Sequence, residues 1–314
     1  MYLSIVVPCF NEEANINELH NRIFNTLKNC DLDSYEIIYI NDGSTDNSQD
    51  ILNKISNKYK NVKTIKFLRN FGQHAAVMAG LKHSIGDFVI TLDADLQNPP
   101  EEIPKFLEKI EDGYDIVAGK RLKRKDSLFR KIPSLIINKL IAKLTESDFT
   151  DYGCMMRAYK RNIIENLLKY GEKSVYIPAF IGWLGGKSIE IGISHDKRAS
   201  GSTKYSFLSL MRQVFDLITA YTLVPIQLIS VLGFIFLCIG FSIFIFLMIY
   251  RFFIGTNSGL TSFVAISFIF SGITIFSLGV ISEYLSRLYK EQRKFPFYII
   301  ENITDSNNID KESL

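Results

Sequence analysis

The chain has 314 residues, enough for one large domain or two ordinary ones, and its formal net charge of +3 makes no case for a nucleic-acid partner. Cys9, Cys30, Cys154 and Cys238 show no paired spacing, which argues against a disulfide framework or a zinc site and fits a reducing, cytosol-facing compartment. Phe and Ile are concentrated after residue 206, where the chain changes character.

Taken in order, Tyr2–Pro8 is too short an apolar run for a signal peptide and lacks a basic leader, so it reads as a first buried strand. A helix follows, with Ile16, Leu19, Ile23 and Leu27 on one face. A second strand, Tyr35–Ile40, runs into Asn41-Asp42-Gly43-Ser44-Thr45-Asp46. Asp42-Gly43 is expected to turn the chain and Ser44 or Thr45 to cap the helix carrying Ile51, Leu52 and Ile55. A third strand, about Val62–Leu68, precedes the polar run Arg69–His74 and a small-residue helix through Ala75, Ala76, Ala79 and Gly80. The fourth strand, Asp87–Ile90, is followed by a fifth over Tyr114–Ala118, ending in Gly119-Lys120-Arg121. Strands alternating with helices predict an α/β fold with a mostly parallel, doubly wound sheet. Ligands bind such sheets beyond the carboxyl ends of the strands, where every one of these polar clusters falls.

The fourth strand delivers Thr91-Leu92-Asp93-Ala94-Asp95-Leu96-Gln97-Asn98-Pro99-Pro100-Glu101. In an extended backbone Asp93 and Asp95 point to the same side, so with the Gln97 amide oxygen they can converge on a hard cation, Mg2+ or Mn2+. The competing reading is a polar loop whose Asp residues cap turns. No Gly-x-Gly-x-x-Gly or Walker sequence accompanies it.

Three segments together resemble family 2 inverting glycosyltransferases of GT-A fold: Val-Pro-Cys-Phe-Asn-Glu, Asn-Asp-Gly-Ser-Thr-Asp-Asn-Ser and Asp-Ala-Asp-Leu-Gln-Asn-Pro-Pro-Glu. Among these the chain is similar to the polyprenyl-phosphate sugar transferases, which include dolichyl-phosphate mannose synthase. Asp151–Tyr159 is similar to the bacterial transferases of 4-deoxy-4-formamido-L-arabinose to undecaprenyl phosphate. The resemblance implies that Pro8, Asn11 and Glu12 line the nucleotide pocket, with Asp42 at the base. Asp93, Asp95 and Gln97 match the metal and diphosphate positions. Arg121, Arg130 and Ser134 match the acceptor-phosphate positions, and Asp151 an acidic position near the sugar. Arg198-Ala199-Ser200-Gly201-Ser202-Thr203-Lys204 matches an Arg-x-x-Gly-x-Ser-Lys loop over the diphosphate, with Thr203 in place of the usual Ser. Arg198 is expected to act in catalysis and Lys204 to bind the donor. The donor implied is a UDP-sugar, carrying formamido-arabinose or N-acetylgalactosamine, and the product a lipid-linked sugar for lipid A or another envelope glycan.

That chemistry is reasonable on its own terms. A divalent ion and a basic loop stabilise the departing diphosphate. A phosphate monoester has a second pKa of roughly 6, so it attacks as a dianion and needs positioning more than a base. His74 and His195 are the nearest alternative bases, and each reads more readily as a structural histidine.

From Ser206 the sequence predicts membrane association. Residues 206–221 form an interfacial amphipathic helix, with Phe207, Leu208, Met211, Phe215 and Ile218 opposite Arg212, Gln213 and Asp216. Leu217–Tyr250 and Phe252–Ser282 contain no charged residue, and each exceeds the roughly 20 residues needed to span a bilayer. Spans are expected over 222–250 and 260–282, followed by a polar tail over 283–314 that is unstructured from Glu301. Lys197, Arg198, Lys204 and Arg212 precede the first span, and Arg287, Lys290, Arg293 and Lys294 follow the second. The positive-inside rule then places the catalytic domain, residues 1–205, and the tail on the cytoplasmic face of a bacterial inner membrane. Relatives of this kind assemble in the membrane, which makes a homo-oligomer an expectation. A processive polysaccharide synthase is disfavoured because the sole tryptophan, Trp183, lies outside any Gln-x-x-Arg-Trp motif. A non-catalytic membrane scaffold is disfavoured by the intact Asp93, Asp95, Gln97 and Arg198 set.

Overall fold

The computed structural model describes residues 1–122, 149–170, 184–195 and 296–305, with isolated positions at 177, 181 and between 245 and 288. The chain divides into two units, Met1–Lys204 with Pro296–Leu314, and Tyr205–Phe295.

The first unit is built on an eight-stranded sheet: β1 (Tyr2–Cys9), β2 (Ser34–Asn41), β3 (Val62–Phe67), β4 (Phe88–Thr91), β5 (Ile116–Arg121), β6 (Arg157–Lys160), β7 (Ser188–Ile193) and β8 (Ile300–Asp305). Its order is β7-β5-β6-β4-β1-β2-β3-β8. The pairings β1–β2, β1–β4, β2–β3 and β5–β7 are parallel. The pairings β4–β6, β5–β6 and β3–β8 are antiparallel. The sheet is therefore mixed, and the expected parallel character holds only for its centre and one flank. The difference lies in β6, β7 and β8, three strands that the sequence reading missed. They lack the apolar runs of the central strands, with Arg157 and Lys160 in β6, Ser188 and Glu190 in β7, and Glu301, Asn302 and Asp305 in β8.

The central strands are buried on both faces. Leu3, Ile5, Val7 and Cys9 of β1 join a core with Ile16, Leu19, Ile23 and Leu27 of α1 (Ile16–Leu27), Leu52 and Ile55 of α2 (Ser48–Lys58), and Ile103, Phe106 and Ile110 of α4 (Ile103–Glu111). The apolar stripe expected on α1 is thus the buried one. The alternate residues Val6 and Ile40 face α3 (Gln73–His83), where a Cβ on Gly80 would lie 2.3 Å from Val6 Cγ1. Small residues in α3 let the helix lie flat on the sheet. Helix α5 (Arg161–Tyr170) follows β6.

Two local expectations are corrected. Neither Ser44 nor Thr45 caps α2, which starts at Ser48. Asp46 Oδ1 instead accepts the Ser48 amide at 3.0 Å, while Ser44 Oγ accepts the Asn11 amide at 3.0 Å. The segment from Glu301 is not wholly unstructured, because Ile300–Asp305 forms β8 at the edge of the sheet. Lys63–Asp305 (3.3 Å) and Lys66–Glu301 (3.0 Å) ion pairs flank the β3–β8 ladder, and Phe67 and Tyr298 stack with ring centroids 5.0 Å apart. The polar segment becomes a strand because β3 offers an open edge, with Lys63 and Lys66 placed to pair with its carboxylates.

In the second unit the described positions within 245–288 are helical, and several of their large apolar side chains are exposed, among them Phe252 at 84% and Phe263 at 71%. Among the described residues no helix is long and apolar enough to cross a membrane. The interfacial helix expected over 206–221 lies outside the described residues, as do most positions of the two expected spans.

Candidate active site

The sheet order reverses direction between β1 and β4, its neighbour on the side away from β2. Such a switch point opens a crevice at the carboxyl ends of the strands. The loops after β1, β2, β3 and β4 all leave from that edge.

The Asp93–Asn98 segment is a turn rather than an extension of β4, which ends at Thr91. Asp95 Oδ1 accepts the Gln97 amide at 3.1 Å, and Leu96 sits at φ 63°, a conformation rare for a leucine. The extended backbone expected for this segment is therefore not found. Leu92, Ala94 and Leu96 are core residues, and Asn98 is buried too. The intervening Asp93, Asp95 and Gln97 are partly exposed. Burying Leu96 holds the strained turn and leaves three oxygen-bearing side chains on the accessible side. Two carboxylates and an amide suit a hard divalent ion that completes its shell with phosphate and water. No group of three His, Cys, Asp or Glu that could hold a metal occurs among the described residues. The donor set fits an ion shared with a phosphate substrate better than a closed protein cage.

The loops after β1 and β2 are joined side chain to backbone. Asn11 Oδ1 accepts the Thr45 amide at 2.8 Å, Ser48 Oγ accepts the Glu12 amide at 3.0 Å, and Glu13 Oε2 accepts the Asn47 amide at 3.0 Å. Asn11 takes the left-handed conformation, at φ 54°, which its short polar side chain tolerates. Glu12 Oε2 accepts the Asn15 side chain at 2.6 Å, so the expected pocket residues Asn11 and Glu12 also brace the loop itself. Pro8 is half-buried in β1 beside them. Asp42 is 3% exposed and accepts the Phe71 amide on Oδ1 (2.7 Å) and the Gly72 amide on Oδ2 (2.9 Å). Burial raises its pKa, and those two amides oppose the shift. Next to it, Gly43 at φ 67° has the Arg69–Asn70 backbone where a Cβ would stand, 2.4 Å from Arg69 C. A cavity of about 480 Å3 at this end is lined in part by Phe10, Gly43, Ser44, Thr45, Arg69 and Asn70.

Across the site Arg121 and Asp151 are brought together. Arg121 Nε donates to Asp151 Oδ2 and Nη2 to Oδ1, both at 2.7 Å. Asp151 is itself held from both sides of its backbone. Its amide donates to Glu190 Oε1 at 2.8 Å, and its carbonyl accepts Arg157 Nη2 at 3.2 Å. Arg157 is fully buried, with its guanidinium 5.2 Å from the Phe149 ring centroid. Farther along the edge, Glu102 Oε1 accepts the Ser194 hydroxyl at 2.7 Å and Oε2 meets Lys105 at 2.5 Å. Burial opposes ionisation of Glu102, but these partners outweigh it and hold the carboxyl below its usual range.

Desolvation lowers the pKa of His74 to about 4, so its imidazole is neutral and a weak base. His195 follows Ser194 just beyond β7. Arg130, Ser134, Arg198 and Lys204 lie outside the described residues. Sequence reasoning missed Glu190, Arg157, Glu102 and Gln73 as site residues. Only Gln73 left a signal, as part of the polar run after β3; Glu190 and Arg157 sit in strands that were not foreseen.

A model of glycosyl transferase family 2 matches residues 4–168. The chain is 41% identical over 309 residues to the undecaprenyl-phosphate 4-deoxy-4-formamido-L-arabinose transferase of Photorhabdus laumondii, covering 97% of this chain and 95% of that one. It is likewise 41% identical over 305 residues to the enzyme of that name from Proteus mirabilis, covering 96% and 93%. Among solved structures, glucosyl-3-phosphoglycerate synthase from Mycobacterium tuberculosis, in complex with Mn2+, UDP and glucosyl-3-phosphoglycerate, superposes with a TM-score of 0.50 at 18% identity, over 70% of this chain and 80% of that one. That likeness concerns the fold, a GT-A α/β architecture with a mixed sheet. The chain is a glycosyltransferase and belongs to glycosyl transferase family 2.

Proposed function

We propose that the enzyme transfers one sugar, with inversion, from a UDP-sugar to undecaprenyl phosphate at the cytoplasmic face of a bacterial inner membrane, and that the sugar is 4-deoxy-4-formamido-L-arabinose. The observation that carries this reading is the accessible Asp93–Asp95–Gln97 face at the switch point, in a chain similar over 97% of its length to transferases of that name.

Asp93, Asp95 and Gln97 would hold a Mg2+ or Mn2+ ion, which when bound neutralises charge on the departing diphosphate. The joined loops after β1 and β2 present their backbone and side chains to the nucleotide. On the other side of the site Arg121 offers directed guanidinium N–H donors, and Lys120 beside it a positive charge, to the acceptor phosphate. Asp151 orients that guanidinium by gripping it through both oxygens. The dianionic phosphate needs no strong base, in keeping with a neutral, weakly basic His74. Arg130 and Ser134 join the acceptor subsite in this reading, and Arg198 and Lys204 close on the diphosphate.

The lipid acceptor is supported by the exposed apolar helical residues of the second unit and by its two uncharged stretches, 217–250 and 252–282. The β8 pairing supports the topology. The chain leaves the first unit after Lys204 and rejoins the same sheet at Ile300, so any bilayer crossings between them must be even in number. Two spans with a cytoplasmic catalytic unit meet that requirement.

The test supplies the full-length enzyme in membranes with undecaprenyl phosphate and a panel of UDP-sugars, and reads the lipid product by mass spectrometry. A single formamido-arabinose on undecaprenyl phosphate is expected. A polymer, or no lipid-linked sugar from any donor, would sink the reading.

A further inference from the structure

The geometry points to Gln73 as a positioning residue that fixes Asp93 before a metal ion and nucleotide arrive, and to Asp42 as the residue that sets Gln73. Gln73 Nε2 donates to Asp93 Oδ1 at 2.6 Å. This inference rests on the reading of Asp93 as a metal and diphosphate residue, and extends it to a side chain outside the Asp93–Gln97 segment.

Three features make the contact a built one. Gln73 is the first residue of α3, a helix packed against β1 through Gly80, so its backbone is set on the sheet and not on a free loop. The approach to that helix is clamped from two directions. Asp42 takes the Phe71 and Gly72 amides on its two oxygens, and the missing side chain of Gly43 lets the Arg69–Asn70 backbone sit directly on it. Gly72 then turns at φ 97°, which delivers Gln73 toward the end of β4. The series Asp42, Phe71-Gly72, Gln73, Asp93 thus links the ends of β2 and β4 across β1.

The choice of an amide donor has a physical consequence. A lysine or arginine in place of Gln73 would hold Asp93 equally firmly but would cancel the charge that attracts a cation. A neutral donor orients the carboxylate and leaves that charge in place. Partners of this kind around metal ligands typically change metal affinity by about 10- to 100-fold when removed.

The experiment titrates Mn2+ into the full-length, detergent-solubilised enzyme with UDP present, following free Mn2+ by electron paramagnetic resonance. Gln73→Met keeps the volume and removes the donor; Gln73→Ala removes both and suits a helix start. Each is expected to weaken Mn2+ binding about tenfold or more, with the melting temperature in chelator unchanged. A loss smaller than tenfold in both variants overturns the assignment, as does a loss that tracks a lowered melting temperature in both. Wild-type enzyme that binds no Mn2+ overturns the metal reading itself, whereas wild-type binding that neither substitution alters overturns only the role of Gln73.

Discussion

Arg121 and Asp151 meet as a fork, two 2.7 Å hydrogen bonds between a guanidinium on β5 and a carboxylate 30 residues later in the chain. Their side chains are 16% and 6% exposed, so the pair is mostly shielded from water. One was expected at the acceptor phosphate and the other near the sugar, so under the proposed function the fork would make these two subsites neighbours.

Because the pair is desolvated, removing one member strands the other. Asp151→Ala should cost about 3 kcal/mol, a fall of roughly 6–12 °C in melting temperature for a domain of this size. Arg121→Lys keeps the charge but loses the bidentate geometry. It should raise KM for the lipid phosphate more than KM for the donor. Equal effects on both substrates in steady-state kinetics would refute the placement of Arg121.

The carboxylates of the β4 turn give a second prediction. Asp95→Ala should abolish UDP release, as should excess chelator, with restoration by added Mn2+ or Mg2+ in the wild type only. Unchanged turnover in chelator, measured by a coupled UDP assay, would remove the metal from the mechanism.

Gly43 gives a third. Alanine there must adopt φ 67° and displace the backbone of Arg69 and Asn70, which lies within 2.5 Å of the new Cβ. The rearranged loop should weaken donor binding, seen as a higher KM for the UDP-sugar, and lower the melting temperature by several degrees.

Stability should fall on mild acidification. Desolvation, with Lys58 nearby, lowers the pKa of His20 to about 4, and desolvation does the same to His74, from 6.5 in each case. The unfolded chain therefore binds more protons below pH 6.5. The contribution is fully present above that value and is lost progressively as pH falls toward 4, by about 1–2 kcal/mol per histidine at pH 5. Melts at pH 7 and pH 5 check this, and His20→Gln should flatten the difference.

The last prediction concerns the carboxyl-terminal strand. Ending the chain at Ile299 removes β8 and bares the β3 edge, and takes away Asp305 and Glu301, which pair with Lys63 and Lys66. The truncated protein should melt lower and aggregate more readily, as judged by light scattering, because an open edge recruits other strands.

Local sequence determined much of this protein. Short apolar runs and helical spacing placed β1–β5 and α1–α3 to within a few residues, because those elements bury continuous apolar faces. The polar clusters after β1, β2, β3 and β4 were legible too, since residues leaving these central strands no longer have an apolar face to bury. Contacts between distant segments were decided by the tertiary structure. The partner of Arg121 is Asp151, Asp42 holds a loop 29 residues away, and the polar Glu301–Asp305 segment becomes a strand, each because folding brings together groups whose pairing no local pattern encodes. Even the accessible Asp93, Asp95 and Gln97 arise from a turn pinned by the buried Leu96, where the sequence alone would have drawn a straight strand.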